Sequence, residues 1–311
     1  MLRRLLPVLL PLALIPAAAL VPDAHAATTS PPLMGAAAIN VATFNKLNAD
    51  AGPLKVRRSY NQLIPVSFAR STAASDAAAG RVSYWSFRPN PKTFTGDKTQ
   101  QAKLSAFLNT IPKGHKTVVI ALHEPEDEIR NGTFTLAQWG ATNNKVSEIV
   151  KAKKRPELRF GISLMGPWTF DSRSPYYKYK WESVLNFSRI DVVGIDPYKF
   201  RASGGSLQSI LTKSNSGSGR TSNPSTMAKL RSWGKPIALT EWGIVTNDRF
   251  THAPISSTTR AAWIKAGYAW MKSWNATQPV KIEAAMYFHV HPDGGSYLTG
   301  AALSAFASVT P

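Results

Sequence analysis

Cysteine is absent from the 311 residues, and this absence narrows the chemistry open to the protein. Thiolate catalysis, cysteine-ligated metal centres and disulfide bonds are all excluded. The fold must therefore be stabilised by its hydrophobic core, and a chain of this length can bury enough apolar surface to do so.

Acidic residues are scarce. There are 18 Asp and Glu against 37 Lys and Arg, which gives a formal net charge of +19 at pH 7. Such a charge favours anionic partners such as wall polymers or acidic glycans, although a generally solvated basic surface would look the same in the sequence. The bases are scattered and no aromatic-basic motif accompanies them, so we do not expect a nucleic-acid partner.

Long apolar segments are confined to the N-terminus. Residues 1–26 place two arginines, an apolar run and "AHA" in the order typical of a secretory signal, with cleavage after Ala26. The alternative is a membrane anchor, but four prolines interrupt the run. We therefore expect residues 27–311 to be one secreted catalytic domain, a monomer without membrane attachment, whose net charge is +18 once the leader's +1 is removed.

Eight short apolar runs alternate with helix-like stretches. Several are continuously apolar, as expected of parallel strands buried on both faces. The pattern predicts a single-domain (β/α)₈ TIM barrel, with helices at 99–111, 135–154 (capped by Thr135) and 258–274, a closing helix within 299–311 and a surface loop at 213–225. A doubly wound sheet is the competitor, but no Gly-x-Gly-x-x-Gly turn follows the first run. The runs are 33–39, 54–60, 81–87, 116–124, 158–166, 190–198, 235–244 and 283–290.

Two glutamates near the ends of apolar runs are candidate active-site residues, because active sites of such barrels lie at the C-terminal ends of the strands. Glu124 follows His123 at the end of the fourth run, and Glu241 precedes Trp242 in the seventh. A lone carboxylate at the end of an apolar strand needs a partner or a substrate. Two such carboxylates can cleave a glycosidic bond, one as the acid and the other as the nucleophile, and Arg57 or Arg58 on the second strand would keep the nucleophile ionised.

The motifs "HEPED" and "LTEWG" at these positions resemble clan A of the glycoside hydrolases, and the His123-Glu124 pair is most similar to glycoside hydrolase family 26. The resemblance implies that Glu124 is the acid/base and Glu241 the nucleophile, and that Tyr198 lies near the nucleophile. It also implies a retaining enzyme without cofactor or metal, acting on β-mannan or a related β-glycan. The substrate-binding residues that we expect are His123, Arg58, Trp85, Trp168, Tyr198, Trp242 and His289.

Two alternatives stay open. His289 and His291, near Asp293, could serve a metal-dependent barrel hydrolase. A non-catalytic carbohydrate-binding barrel could use the same tryptophans without either glutamate. Among the other acids of the fourth run, Asp127 and Glu128 are expected in a solvated loop, whereas Glu126 could bind sugar hydroxyls or hold Arg130.

Overall fold

The computed structural model of the protein describes residues 30–213, 225–290 and 295–310. The predicted signal segment 1–26 and the position of His291 lie outside these ranges, as does most of the predicted loop at 213–225. None of the helices within the described ranges is long and apolar enough to cross a membrane.

Eight parallel strands close into a barrel. Each pairs with the next along the chain, and the last pairs with the first. The predicted (β/α)₈ barrel is thereby confirmed, and each of the eight apolar runs contains or overlaps one strand. The strands are β1 (Leu33–Ala37), β2 (Val56–Asn61), β3 (Val82–Phe87), β4 (Thr117–Ala121), β5 (Leu158–Leu164), β6 (Val192–Ile195), β7 (Ile237–Ile244) and β8 (Ile282–Phe288).

Helices surround this barrel. They are α1 (Val41–Ala51), α2 (Lys98–Thr110), α3 (Glu126–Arg130), α4 (Leu136–Ala152), α5 (Leu207–Thr212), α6 (Thr226–Ser232), α7 (Ser257–Thr277) and α8 (Gly300–Ala307). Thr135 caps α4 as predicted: its hydroxyl accepts the Gln138 N–H, and the Gln138 side chain accepts the Thr135 N–H in return. The described links after β2 and β5 contain 3₁₀ turns instead of α-helices.

Two apolar layers hold the fold together. The barrel interior contains apolar side chains such as Ala37, Val118 and Met286. A larger layer lies between the strands and the helices, and it contains four fully buried tryptophans, Trp85, Trp139, Trp181 and Trp242. Because both faces of each strand are covered, most strands are largely apolar in sequence, with β2 (VRRSYN) as the clearest exception, and polar side chains that enter the C-terminal end of the barrel mark its site.

Candidate active site

Glu124, just past the end of β4, and Glu241, in the last half of β7, meet at the C-terminal end of the barrel. One carboxylate oxygen from each lies within 4.8 Å of the other and of an oxygen of Asp196, which follows β6. The two glutamates are more than a hundred residues apart in the chain, and barrel closure alone brings them together. The site therefore contains three carboxylates in one small volume.

A β-bulge turns Glu241 into the barrel. β7 pairs with β8 at Leu239–Ala285 and again at Trp242–Tyr287, so β7 carries one extra residue between these points. An extra residue reverses the alternation of side chains along a strand. Leu239 and Trp242 consequently both belong to the outer core, while Thr240 and Glu241 both make their hydrogen bonds inside the barrel.

Glu241 is held by three donors. Only 5% of it is exposed. The Tyr60 hydroxyl donates to Oε1 at 2.5 Å, the Tyr198 hydroxyl donates to Oε2, and Arg58 Nη1 lies 3.0 Å from Oε1. Burial raises the pKa of Glu241 to about 7, while Arg58 and the two tyrosine hydroxyls lower it against the influence of Asp196. These contacts stabilise the ionised form, which a nucleophile requires.

Arg58 and Asp196 form the buried base of the site. Arg58 Nη1 lies 3.0 Å from both oxygens of Asp196, which also accepts hydrogen bonds from Thr240 at 2.5 Å and Ser163 at 3.2 Å. Arg58 is completely buried, so the expectation that it binds substrate directly is wrong, and it acts through the carboxylates instead. The choice between the two arginines is also settled, since Arg57 lies outside the barrel near Asp76 and the Phe44 ring.

Glu124 has a different environment. It is partly exposed, and its side chain makes no hydrogen bond to the described residues, although its backbone N–H donates to the Ser163 carbonyl at 3.0 Å. Burial raises the pKa of Glu124 well above its usual value, Asp196 and Glu241 raise it further, and Arg58 opposes them. Glu124 thus favours the protonated form and remains partly exposed, as is required of an acid that protonates a leaving group.

His123 lies beside this pair. Burial lowers the pKa of His123 well below its usual value, and the nearby charges of Arg58 and Arg88 lower it further, so the imidazole is neutral. Its ring contacts that of Tyr60, with 5.4 Å between centroids. The geometry is compatible with the predicted sugar contact, which stays a prediction.

Trp168 is the one predicted cleft tryptophan that is exposed to a ligand. It is 50% exposed and lines a groove of about 330 Å³ that also contains Tyr198. The turn that carries it starts at Gly166, whose φ is +42° and where a Cβ would meet the Asp196 carbonyl oxygen at 2.6 Å. Glycine is therefore required for this turn to lie against the end of β6.

The predictions that Trp85 and Trp242 line the cleft are wrong. Both are fully buried on the outer face of the barrel. Trp85 stacks between Phe87 and Phe107, at centroid distances of 4.8 and 4.3 Å, and Trp242 stacks on Trp263 of α7 at 5.5 Å. Their rings are covered by protein and cannot contact a sugar.

His289 likewise offers almost no surface to a ligand. It is 3% exposed, its ring stacks on Tyr297, and Nδ1 accepts the Leu298 N–H at 3.2 Å. Burial lowers its pKa to about 4. The expected substrate contact of His289 is therefore wrong, and one nitrogen that the metal alternative needs is already engaged.

The three clustered carboxylates are the described group with a spacing suited to a cation. However, the Arg58 guanidinium already lies against two of them, and tyrosine hydroxyls donate to both oxygens of Glu241. The residues present thus fit an internal arginine better than a metal ion.

The structure adds three residues to the site: Tyr60 and Asp196, to which the sequence assigned no role, and Glu126, whose contacts differ from those expected. Tyr60 and Asp196 stand at strand ends, but nothing in the sequence identifies their partners. Glu126 is fully buried, and its Oε1 accepts both the Met165 N–H at 2.7 Å and the Thr169 hydroxyl at 2.5 Å. It therefore holds neither Arg130 nor an exposed sugar; Arg130 pairs with Asp127 instead.

No protein-family model and no curated protein matches the sequence. Solved structures do share the fold. An endo-β-1,3-glucanase of glycoside hydrolase family 128, subgroup I, from Amycolatopsis mediterranei, in complex with laminaripentaose, has a TM-score of 0.52 at 13% identity, with 89% of this chain and 98% of that chain covered. The CBM22-1 and GH10 modules of the Clostridium thermocellum endo-1,4-β-D-xylanase 10B give 0.57 at 12% identity, with 91% and 66% covered.

A third structure with this fold is described as an oligosaccharide-binding protein of family 128, subgroup VII, from Trichoderma gamsii, with a TM-score of 0.50, 13% identity and 90% and 95% covered. At these identities the likeness concerns the fold: the chain forms a barrel like those of clan A glycoside hydrolases. It does not separate family 26, which the His123-Glu124 pair indicates, from other families of the clan.

Proposed function

We propose that the protein is a secreted retaining β-glycosidase that cleaves within a polysaccharide. The observation that carries this proposal is the Glu124–Glu241 pair: their oxygens lie within 4.8 Å of each other, and three donors hold Glu241 while the Glu124 side chain has none among the described residues. In retaining glycosidases the two carboxyl groups are about 5–5.5 Å apart, whereas inverting enzymes need about 6.5–9.5 Å to admit a water molecule.

The reaction follows from these surroundings. Glu124 donates its proton to the glycosidic oxygen while the Glu241 carboxylate attacks the anomeric carbon, so that the leaving sugar departs as an alcohol and a glycosyl ester forms on Glu241. Glu124, now ionised, takes a proton from water, and the resulting hydroxide displaces Glu241. The tyrosines and Arg58 hold Glu241 in place through both halves of the reaction.

Likeness in fold to β-glucanases and a xylanase makes β-glucans and xylan reasonable first substrates. The resemblance of His123-Glu124 to family 26 adds β-mannan. Secretion is proposed because residues 1–26 resemble a signal peptide. We also propose that His123, whose imidazole is neutral, contacts the sugar by hydrogen bonding and takes no part in proton transfer.

The test uses purified protein without residues 1–26 on laminarin, mixed-linkage glucan, xylan, mannan, galactan and bacterial wall glycans. NMR of the first product should show the β-anomer, and Glu124→Gln and Glu241→Gln should each lower turnover at least 10³-fold without unfolding. Glu148→Gln, on the exposed face of α4, is the matched control and should retain activity. Full activity of either active-site variant would refute the assignment, and loss of activity in EDTA would favour the metal alternative.

A sugar-binding barrel without catalysis is the second candidate, and the fold shared with an oligosaccharide-binding protein favours keeping it. It requires binding to one of these glycans without release of reducing ends at any pH.

A further inference from the structure

The groove beside Tyr198 is unusual in its charge. We name it the basic groove and define it by Trp168, Tyr198, Lys199, Arg201, Lys213 and Phe250. It starts at the nucleophile, because the Tyr198 hydroxyl donates to Glu241, and it continues past Trp168 to the exposed ring of Phe250. A glycan cleaved between Glu124 and Glu241 would reach this groove with its neighbouring residues.

The cations of the basic groove have no acidic partners among the described residues. Arg173 also borders the groove, but Asp171 binds it at 2.6 Å. In contrast, no ion pair forms at Lys199, Arg201 or Lys213 within the part of the chain that the structure describes. Arg201 stacks over the Phe250 ring at 3.5 Å, which fixes the guanidinium at the groove without neutralising it.

Lys199 cannot be explained as an ordinary solvated surface lysine. It is only 8% exposed, and its aliphatic stem runs along Gly204, where a Cβ would lie 3.5 Å from Lys199 Cγ. Burial lowers its pKa, and no carboxylate opposes that effect. An ammonium group held at the groove without an acidic partner among the described residues is available to an anionic ligand.

We propose that the basic groove binds an anionic substituent, a carboxylate or a phosphate, carried by the glycan next to the cleaved bond. Lys199 and Arg201 supply charge-assisted hydrogen bonds to that substituent, while Trp168 and Phe250 contact the sugar faces. This inference rests on the proposed function for the position of the glycan, but its central claim is a binding preference that does not require turnover.

The experiment compares laminarin with its C6-carboxylated and C6-phosphorylated derivatives. Binding is measured by affinity electrophoresis at 50 and 300 mM NaCl, and hydrolysis is measured in parallel. We expect at least one anionic form to bind about tenfold more tightly than the neutral glucan at low salt, with the preference reduced at high salt. Whichever form is preferred identifies the anion.

The variants are Lys199→Met, which retains most of the aliphatic stem, and Arg201→Gln, which is more exposed and tests the site even if the first variant folds poorly. Each should lower the ratio of anionic to neutral binding at least threefold. Lys265→Met, an exposed lysine of α7 on the far side of the outer core, controls for the general positive charge and should leave the ratio unchanged.

The outcomes separate the two proposals. Equal binding of all three glycans, or an equal loss of preference in Lys265→Met, overturns the anionic subsite, and the proposed hydrolase stands if laminarin or another neutral glycan is cleaved. A Lys199-dependent preference without cleavage of any glycan supports the subsite and overturns the hydrolase.

Discussion

The buried carboxylate of Glu126 accepts a hydrogen bond of 2.5 Å from the Thr169 hydroxyl and so joins the loop of the acid to the turn of Trp168. The same oxygen accepts the Met165 N–H, which means that both ends of the turn around Trp168 are fixed by one side chain. Glu126 stands two residues after Glu124 and raises its pKa. A single residue thus positions the proposed proton donor and the sugar platform together.

Glu126→Gln should separate the effect of the Glu126 charge from the effect of its two hydrogen bonds. The amide oxygen can still accept both hydrogen bonds, but the negative charge that raises the pKa of Glu124 is gone. Since Glu124 must be protonated to act, the alkaline limb of the kcat/KM profile should move to lower pH. Glu126→Ala should in addition raise KM, because the turn of Trp168 loses its anchor. An unmoved alkaline limb in the glutamine variant would refute the coupling.

The Glu126 carboxyl should make the stability of the wild type depend on pH with a defined sign. Burial raises the pKa of Glu126 to about 7 against an ordinary value of 4.5, so the folded protein binds this proton more tightly than the unfolded chain does. The stabilisation is complete below pH 4.5 and is lost as pH rises towards 7 and above, by up to about 3 kcal/mol. Urea titrations at pH 5 and 8 should show a smaller decrease for Glu126→Gln than for the wild type.

Tyr198→Phe should change the acid limb of the kcat/KM profile against pH instead of the alkaline limb. The Tyr198 hydroxyl stabilises ionised Glu241, and its own pKa is raised well above the usual value by burial, so it remains a donor. Without it the pKa of Glu241 increases, and the rising limb of kcat/KM should move to higher pH with a roughly 10–100-fold lower maximum. Tyr287→Phe is the control, because that hydroxyl lies against the Ile244 backbone and should leave the limb in place.

Arg58→Met and Arg57→Met form a second matched pair on adjacent positions of β2. Removing Arg58 leaves Asp196 and Glu241 buried without their cation, which should cost about 3–5 kcal/mol at neutral pH and move the acid limb to higher pH. Arg57→Met should lower stability through Asp76 and leave the pH profile unchanged. A displaced acid limb in Arg57→Met would contradict the assignment of the two faces.

Trp168→Ala and Trp85→Ala should have opposite effects. Truncating the half-exposed Trp168 should weaken glycan binding roughly tenfold with little change in stability. Truncating Trp85, which is fully buried between Phe87 and Phe107, should cost about 3–5 kcal/mol, while the activity of the protein that remains folded is unchanged. Thermal unfolding and KM, measured on the same preparations, separate the two roles.

The sequence predicts the barrel well because most strands, being covered on both faces, are largely apolar along their length, although β2 departs from this pattern. It also places Glu124 and Glu241, since a carboxylate at the end of such a strand is conspicuous. What it cannot supply is the face to which each side chain points. One unpaired residue between Leu239 and Trp242 exchanges the faces of Glu241 and Trp242, and apolar patterning carries no sign of it. For the same reason, the sequence could not show that Trp85 points away from the cleft, or which of Arg57 and Arg58 points into the barrel.

The sequence brought an arginine of β2 and Tyr198 to the nucleophile but gave no role to Tyr60. Arg58 and Tyr60 stand two residues apart on β2 and Tyr198 follows β6, and they meet the carboxylate of β7 only when the barrel has closed. Glu126 was hidden by its neighbours, because four acids within five positions look like a solvated loop until one of them is found fully buried.

The backbone of Glu124 has a φ of +49°, in the left-handed region that residues with a Cβ seldom adopt, and Leu122 nearby has a φ of +51°. Holding a side chain there costs about 1–2 kcal/mol, which glycine would not incur. Heat resistance and turnover therefore favour different residues at position 124. Selection of random variants for thermal survival alone should enrich Glu124→Gly, whose loop carries less backbone strain and which has no proton to donate.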